Sequence, residues 1–199
     1  MGGWSLEKKL KDDSTVTIRE MSPDDELKVL NFFKSLPLEM RQYLRMDVTV
    51  IENLRKRIHQ SSAQRMWRIV AEQDDKIRAE AMIFGPATGW QRHTCELRCI
   101  VHPDYQKKGL GSILLWELFQ KTLNEKYDLL ICEVVPEQVQ AISVLDKLGF
   151  TLALKRPKHV RDISGEKHDL CIYTMNVKAM WDRLKQHYHT FDTEFGHHF

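Results

Sequence analysis

Two glycines set between an apolar run and a long, apolar-striped segment mark the part of the chain equipped to do chemistry. The stretch reads Leu97-Arg98-Cys99-Ile100-Val101-His102-Pro103-Asp104-Tyr105-Gln106-Lys107-Lys108-Gly109-Leu110-Gly111-Ser112. At a strand-to-helix junction backbone N–H groups point outward and the helix dipole favours an anion, so a phosphate cradle is suggested. Two nucleotide cradles fail here. A Walker loop ends in Gly-Lys-Ser/Thr, whereas Gly111 is followed by Ser112-Ile113. A dinucleotide fingerprint needs a third glycine where Leu114 stands, and seven residues separate Val101 from Gly109. What the residues show is a glutamine followed at fixed spacing by two glycines, Gln106, Gly109 and Gly111.

Two carboxylates lie on neighbouring apolar runs, Glu96 within 94–101 and Glu133 within 129–135. Strand alternation puts Cys95, Leu97, Cys99 and Val101 on one face and Glu96, Arg98 and Ile100 on the other. Glu96 is open to two roles, a general base or one half of a surface ion pair with Arg98. Glu133 sits in an apolar strand, where base, water-holder and structural pair are all open. His102, before Pro103, is expected to shape the strand exit. The four cysteines (Cys95, Cys99, Cys132 and Cys171) form no C-x-x-C pair. Cys95 and Cys99 on one strand stand roughly 13 Å apart, too far to bridge. Buried thiols are expected, and Cys99 has no local histidine to make it a nucleophile. The nine histidines form neither H-x-x-x-H nor H-E-x-x-H, and His187, His189, His197 and His198 read as a polar tail. No metal site is expected.

The elements that position these residues follow from periodicity. Residues 15–20 alternate as a strand. Ser22 is placed as N-cap, Pro23 at the first helical position and Asp25 as the acid of a capping box, opening a helix with Leu27, Val29, Leu30 and Phe33 buried. Thr49 caps a second helix over about 50–60. Strands at 66–72 and 77–84 form a hairpin across residues 73–76. Then come a strand at 94–101, a helix at 109–124, a strand at 129–135, a helix from Pro136 to Leu148-Gly149, and strands at 150–154 and 170–177. A last helix covers about 178–188. At 199 residues, with 30 Lys plus Arg against 28 Asp plus Glu, the chain is expected to be globular with a net charge of +2. That balance argues against nucleic acid as the partner, the basic stretch Arg55, Lys56, Arg57, Arg65 and Arg68 reading as a solvated face. No run approaches the ~18–20 apolar residues of a membrane span. Met1-Gly2-Gly3-Trp4-Ser5-Leu6 has no apolar signal core, and Leu6 stands where a myristoylation motif needs Ser or Thr. The expected organisation is a flexible leader at 1–13, one α/β domain at 14–177, and a C-terminal helix and tail at 178–199, in the cytoplasm.

Gln106-Lys107-Lys108-Gly109-Leu110-Gly111, preceded by Val101-His102-Pro103-Asp104-Tyr105, resembles the cofactor loop of the GNAT superfamily of acetyl-CoA-dependent N-acetyltransferases. Gln138, Ala141-Ile142 and Lys147-Leu148-Gly149-Phe150 resemble its later N-x-x-A-I…Y-E-K-x-G-F helix. The resemblance covers about residues 15–177. It implies an α/β GNAT fold, a mostly antiparallel sheet of 6–7 strands splayed between the fourth and fifth and flanked by about four helices. It implies acetyl transfer from acetyl-CoA to a primary amine, of a protein lysine or a small molecule, by direct attack in a ternary complex. The backbone of Cys99 and Val101 would pair with the pantetheine arm, and the N–H groups of Lys108, Gly109, Gly111 and Ser112 would hold the pyrophosphate. Ile100, Gln106, Lys107, Leu110 and Gln138 complete the implied cofactor-binding set. Strand-edge N–H groups near Val101 would stabilise the oxyanion.

Two positions depart from that pattern. Leu145 stands where relatives often carry a tyrosine acid, and Gln138 where they often carry Asn. Tyr173, on the last strand, or a water would replace the acid; Glu133 and Glu96 are the candidate bases. In relatives the base is often in phase with Cys95 or Leu97, which leaves Glu96 one residue out of register unless a bulge intervenes. Residues 34–64 and 155–168 are the acceptor walls. Ser35-Leu36-Pro37 with Arg45-Met46-Asp47-Val48-Thr49, and Val160-Arg161-Asp162 with Gly165 and His168-Asp169-Leu170, look similar to GNAT domains of bacterial protein-lysine acetyltransferases. Asp47, Asp162 and Asp169 are the candidate contacts for a cationic amine. A homodimer is one option for the assembly. The alternative function is a non-catalytic acyl-CoA-binding regulatory domain of the same fold, favoured by the missing tyrosine.

Overall fold

A computed structural model of the protein describes residues 4–58 and 64–186. Among them, eight strands form one open sheet in the order β1-β2-β3-β4-β5-β6-β8-β7. These are β1 (Ser5–Lys9), β2 (Thr15–Glu20), β3 (Gln64–Gln73), β4 (Lys76–Pro86), β5 (Thr94–Val101), β6 (Leu129–Val134), β7 (Thr151–Arg161) and β8 (Lys167–Asn176). Helices α1 (Glu26–Ser35), α2 (Leu38–Arg41) and α3 (Ile51–Ile58) lie between β2 and β3. Helix α4 (Leu110–Asn124) joins β5 to β6, α5 (Val139–Lys147) joins β6 to β7, and α6 (Val177–Gln186) follows β8. All neighbouring strands are antiparallel except β5 and β6.

Local chemistry accounts for the frame. Ser22 Oγ accepts from the N–H of Asp24 at 3.2 Å and the Asp25 carboxylate accepts from the N–H of Ser22 at 2.8 Å, the reciprocal cap expected there. Arg19 of β2 then binds Asp25 at 2.7 and 2.8 Å and Glu72 of β3 at 2.6 Å, fixing the helix entrance to two strands. Between β3 and β4 the turn residues Asp74 and Asp75 both have positive φ, 52° and 58°, as a two-residue hairpin demands. Val29, Phe33, Leu36 and Leu54 of the α1–α3 layer pack with Val70 and Ile77 on one face of the sheet. Leu114 and Leu118 of α4 and Met180 and Leu184 of α6 pack with Ile69, Ala81, Ile83, Leu97 and Leu130 on the other.

Several boundaries differ from expectation. Residues 5–9, expected in a loose leader, form β1, paired with β2 from Ser5↔Arg19 to Lys9↔Thr15. A charged edge strand with little burial has no apolar rhythm to betray it. Leu27, expected in the core, is 67% exposed, because the buried stripe of α1 runs through Val29, Leu30, Phe32 and Phe33. Helix α5 starts at Val139, not Pro136, because Gln138 closes a turn first: its Oε1 accepts from the N–H of Val135 and its own N–H donates to Val135 O, both at 3.0 Å. Strand β7 runs on past residue 154 through Pro157 by means of a bulge between Arg156 and Val160, where Lys158 takes φ 47° and donates its N–H to Asp169 at 2.9 Å. The sheet thus has one strand more than expected, β1, and six α-helices among the described residues. The expected end of the last helix at 188, the histidine tail and positions 59–60 of the expected second helix lie outside the described residues.

The feature that matters for a site is the junction of β5 and β6. These parallel strands pair only over residues 94–96 with 129–131. Beyond Glu96, β5 stays on β4 as far as Val101; beyond Ile131, β6 stays on β8 as far as Val134. The two strands part, as the expected splay requires.

Candidate active site

The loop after β5 is stitched back onto the sheet. His102 donates its N–H to Arg78 O at 2.9 Å, and its Nδ1 accepts from the N–H of Asp104 at 3.3 Å, capping the single turn Pro103–Tyr105. That is the turn-shaping part expected of it. Gln106 Nε2 donates to Val101 O at 3.2 Å, and the Tyr105 hydroxyl donates to Gln73. Lys107 and Gly109 then take left-handed backbones, φ 61° and 89°, and Gly109 caps α4. The first N–H groups of a helix have no carbonyl four residues back, so those of Leu110, Gly111 and Ser112 are available to a ligand beside β5. A Cβ at Gly111 would meet Val101 Cγ2 at 3.7 Å, ordinary contact, so the protein's own packing does not require glycine there.

The turn between β1 and β2 adds a support that sequence reasoning missed. Lys11 donates its N–H to Lys108 O at 3.1 Å, and the Lys11 side chain would lie 3.6 Å from a Cβ at Gly109. Lys108 Nζ lies 2.7 Å from Asp12 and 4.9 Å from the centre of the Tyr105 ring. Lys108, with help from Ser14, holds the Asp12 carboxyl down to about 2. Lys108 is therefore partly committed to Asp12, while Lys11 brings a second cation to the loop. The sequence signal for it is the Lys- and Asp-rich run just before the strand at 15–20, within the expected leader.

At the parting of β5 and β6 the two candidate bases meet. Glu96 pairs in register with Ile131, and Glu133 lies two residues further on the same face of β6. Arg45, from the stretch between α2 and α3, binds both: its Nη2 is 2.5 Å from Glu96 Oε1 and also contacts Glu133 Oε2. Arg98 Nε donates to Glu96 at 3.0 Å, the ion pair expected as the alternative role. The β4–β5 register has no bulge over residues 96–101, so Glu96 indeed faces away from Cys95 and Leu97. On the opposite face lies a narrow apolar hollow, walled by Leu97, Ser112, Trp116, Leu130, Phe150 and Met175 among others. It runs from the first β5 residue beyond the pairing to the first turn of α4.

Tyr173 does not join Glu96 and Glu133. It pairs with Cys132, whose side chain leaves the sheet opposite to that of Glu133, and it is 8% exposed within the core that also contains Leu145. Burial, then Asp146 and Cys171, push its hydroxyl up, so it stays protonated near neutrality. Gln138 is engaged in the turn before α5. Burial pushes Cys95, Cys99 and Cys132 up to about 12, so these three stay thiols near neutrality.

The candidate acceptor contacts have structural employment. Asp47 accepts from the N–H and hydroxyl of Thr49; Asp169 pairs with Lys155 at 3.0 Å and accepts from Lys158. Asp162 accepts from Ser164 and from the N–H of Glu166 in the β7–β8 turn, which holds its carboxyl near 2 with help from His168. His168 contacts Asp162 Oδ2 at 3.2 Å and Glu137 at 3.1 Å, beneath the edge-on ring of Tyr43. Within the basic stretch, Arg55 pairs with Glu26 at 2.5 Å, Arg65 reaches Arg92 O at 2.7 Å, and Arg68 is buried.

A model of the acetyltransferase (GNAT) family matches residues 31–150. No curated protein matches the chain. Among solved structures, the GNAT domain of S. lividans PAT is 16% identical, covering 87% of this chain and 97% of its own with a TM-score of 0.68. A GNAT-family acetyltransferase from Streptococcus pneumoniae is 20% identical, covering 81% and 99% with a TM-score of 0.68. A Salmonella typhimurium structure that carries its cofactor acetyl-CoA is 20% identical, covering 82% and 95% with a TM-score of 0.63. These three share the fold described above.

Proposed function

The chain belongs to the acetyltransferase (GNAT) family, and from that premise we propose that it moves an acetyl group from acetyl-CoA to a primary amine, of a protein lysine or a small molecule. The observation that carries this reading is the early end of the β5–β6 pairing beside the Gly109–Gly111 cradle. Diphosphate at the start of α4 and a pantetheine arm along the free edge of residues 99–101 would bring the thioester to that gap. Lys108, Gly109, Leu110, Gly111 and Ser112 supply backbone to the diphosphate, Cys99, Ile100 and Val101 supply the edge, and Gln106 holds the edge in place through Val101 O. Lys107 and Lys11 add positive charge. Gln138 shapes the wall after β6 through Val135.

Acetyl-CoA supplies an acyl thioester. An alkylamine has a reference pKa of ~10.4 and arrives as an ammonium ion, so one proton must leave before attack. Glu133 or Glu96 accepts that proton. The amine nitrogen then forms its bond to the carbonyl carbon, and the oxygen's charge is met by N–H groups on the β5 edge. The C–S bond breaks; the thiolate takes a proton from Tyr173 or a water, and the second proton lost from nitrogen restores that donor. Products are an acetamide and the CoA thiol, with the carboxylate's proton returned to solvent. Carboxylates on one face of the gap and a protonated tyrosine on the other suit this division of labour.

Thiol release from acetyl-CoA across a panel of amines tests the reading. Wild-type turnover is expected, with Glu133→Gln and Glu96→Gln assayed separately across pH; full rate and unchanged profile in both removes the carboxylates from the mechanism. The buried Leu145 in the tyrosine's place favours a second reading, an acyl-CoA-binding regulatory domain. Tight CoA binding with no thiol released from any amine would select it. The cytoplasm is the compartment proposed, on the support of four free cysteines. Among the described residues no helix is long and apolar enough to cross a membrane.

A further inference from the structure

The open end of the β5–β6 junction already holds a cation, and the protein itself provides it. Arg45 Nη2 lies 2.5 Å from Glu96 Oε1 and contacts Glu133 Oε2, while Nη1 donates to Glu96 Oε2 at 3.3 Å. Two carboxylates on adjacent strands converge on one guanidinium at the point where those strands part. The carboxylate side chains are 18% and 26% exposed and belong to the sheet. Arg45 is 42% exposed and hangs from the irregular stretch between α2 and α3. The anions are built in; the cation is displaceable, since exposed ion pairs hold weakly.

We propose that Arg45 is a resident occupant of the acceptor's ammonium site, so that Glu96 and Glu133 receive an alkylammonium as Arg45 withdraws. The inference rests on the acetyl-transfer reading of this same site. It adds to the cationic amine of that reading a competitor for its place, carried by the chain itself. The charges favour it. Arg45 and Arg98 together balance Glu96 and Glu133, and withdrawal of Arg45 leaves one negative charge that one ammonium restores. Arg98 does not serve as the movable cation, because it stands on β5 with its guanidinium 4.5 Å from the centre of the Phe84 ring. Arginine also suits the part chemically. A guanidinium does not lose its proton in proteins, so it fills an amine's place without offering a nucleophile to the thioester.

The test uses the full chain saturated with CoA and titrated with n-butylamine, cationic at neutral pH, or with n-butanol, its neutral counterpart, followed by NMR shifts. Arg45→Gln and Arg45→Ala are expected to bind butylamine about fivefold more tightly than wild type, the scale of an exposed ion pair removed from competition. Arg45→Lys should stay close to wild type, and Glu133→Gln should bind about tenfold more weakly, as loss of a charge-assisted contact implies. Butanol should show no dependence on the variant. Unchanged or weaker amine binding in both Arg45→Gln and Arg45→Ala, unchanged binding in Glu133→Gln, no saturable amine binding in any form, or an equal response to butanol overturns the proposal. Failure of CoA itself to bind overturns the acetyl-transfer reading and the proposal with it; CoA binding without tighter amine binding overturns the proposal alone.

Discussion

Gly109 and Gly111 stand two residues apart and are glycine for different reasons. Gly109 has φ 89°, where any other L-residue is strained by roughly 1–2 kcal/mol. Gly111 lies within α4 with room for a Cβ. Gly109→Asp should therefore fold with a thermal midpoint lowered by several degrees and bind no CoA, since it also sets a carboxylate against the phosphates. Gly111→Ala should keep or raise the midpoint, because alanine favours a helix by up to ~1 kcal/mol, and still lose CoA affinity. Calorimetric titration separates the two, and undiminished CoA binding in both variants removes the cradle. Cys99 offers the opposite contrast, a residue on the proposed cofactor edge to which the proposed mechanism gives no chemical part. Burial, then Cys132 and Glu80, push its thiol up to about 12, so Cys99→Ala should keep its turnover and wild type should carry no acetyl on that sulfur by mass spectrometry. At this scale the sequence was informative wherever backbone geometry limits the residue type. It placed Arg45 in an acceptor wall but was silent on its pairing, because an arginine 51 residues from Glu96 and 88 from Glu133 announces no partner.

Elements were legible in proportion to how much they bury. Strand β5 and the capping box before α1 lie where expected, because apolar rhythm and cap chemistry are local. Edge strands β1 and β7 were missed or cut short, because a charged strand that buries little needs no apolar periodicity and Pro157 is absorbed by a bulge. The cost of missing β1 was functional, since the turn after it carries Lys11 and Asp12 to the cradle. The β7–β8 hairpin has its own device at its tip. Glu137 and Asp162 both raise the pKa of His168, with Tyr43, Glu166 and Asp169 also nearby. A histidine whose native pKa exceeds its unfolded value stabilises fully below that unfolded value, ~6.5, and the gain is lost as pH rises through the raised native one. The thermal midpoint of wild type minus that of His168→Asn should therefore shrink as pH rises from about 6 to above the native pKa. A difference that stays constant over that window shows that the imidazolium clamps nothing.

Over the whole molecule, a net charge of +2 conceals a deliberate separation of signs. Lys11, Lys107 and Lys108 gather at the start of α4, while Glu96 and Glu133 face the other side of the same sheet behind Arg45. On the proposed reading one sheet presents a site for a polyanion and a site for a cation, joined by the gap where β5 and β6 part. That arrangement depends on register across the sheet, which no single segment discloses; the loop motif pointed to the first site, and only the assembled sheet exposes the second. If the polyanion site is as described, CoA binds the native state alone and must raise its stability. At a concentration one hundred times the dissociation constant the gain is about 2.7 kcal/mol. For a chain of this size each kcal/mol moves the midpoint by about 2–4 °C, so a rise of roughly 5–10 °C is expected. Pantetheine at the same concentration lacks the diphosphate and the nucleotide and should raise the midpoint far less, and the CoA response should shrink with added salt as the lysines are screened. An equal response to both compounds would assign the binding to the apolar hollow rather than the cradle, and no response to CoA would leave the helix terminus without its ligand.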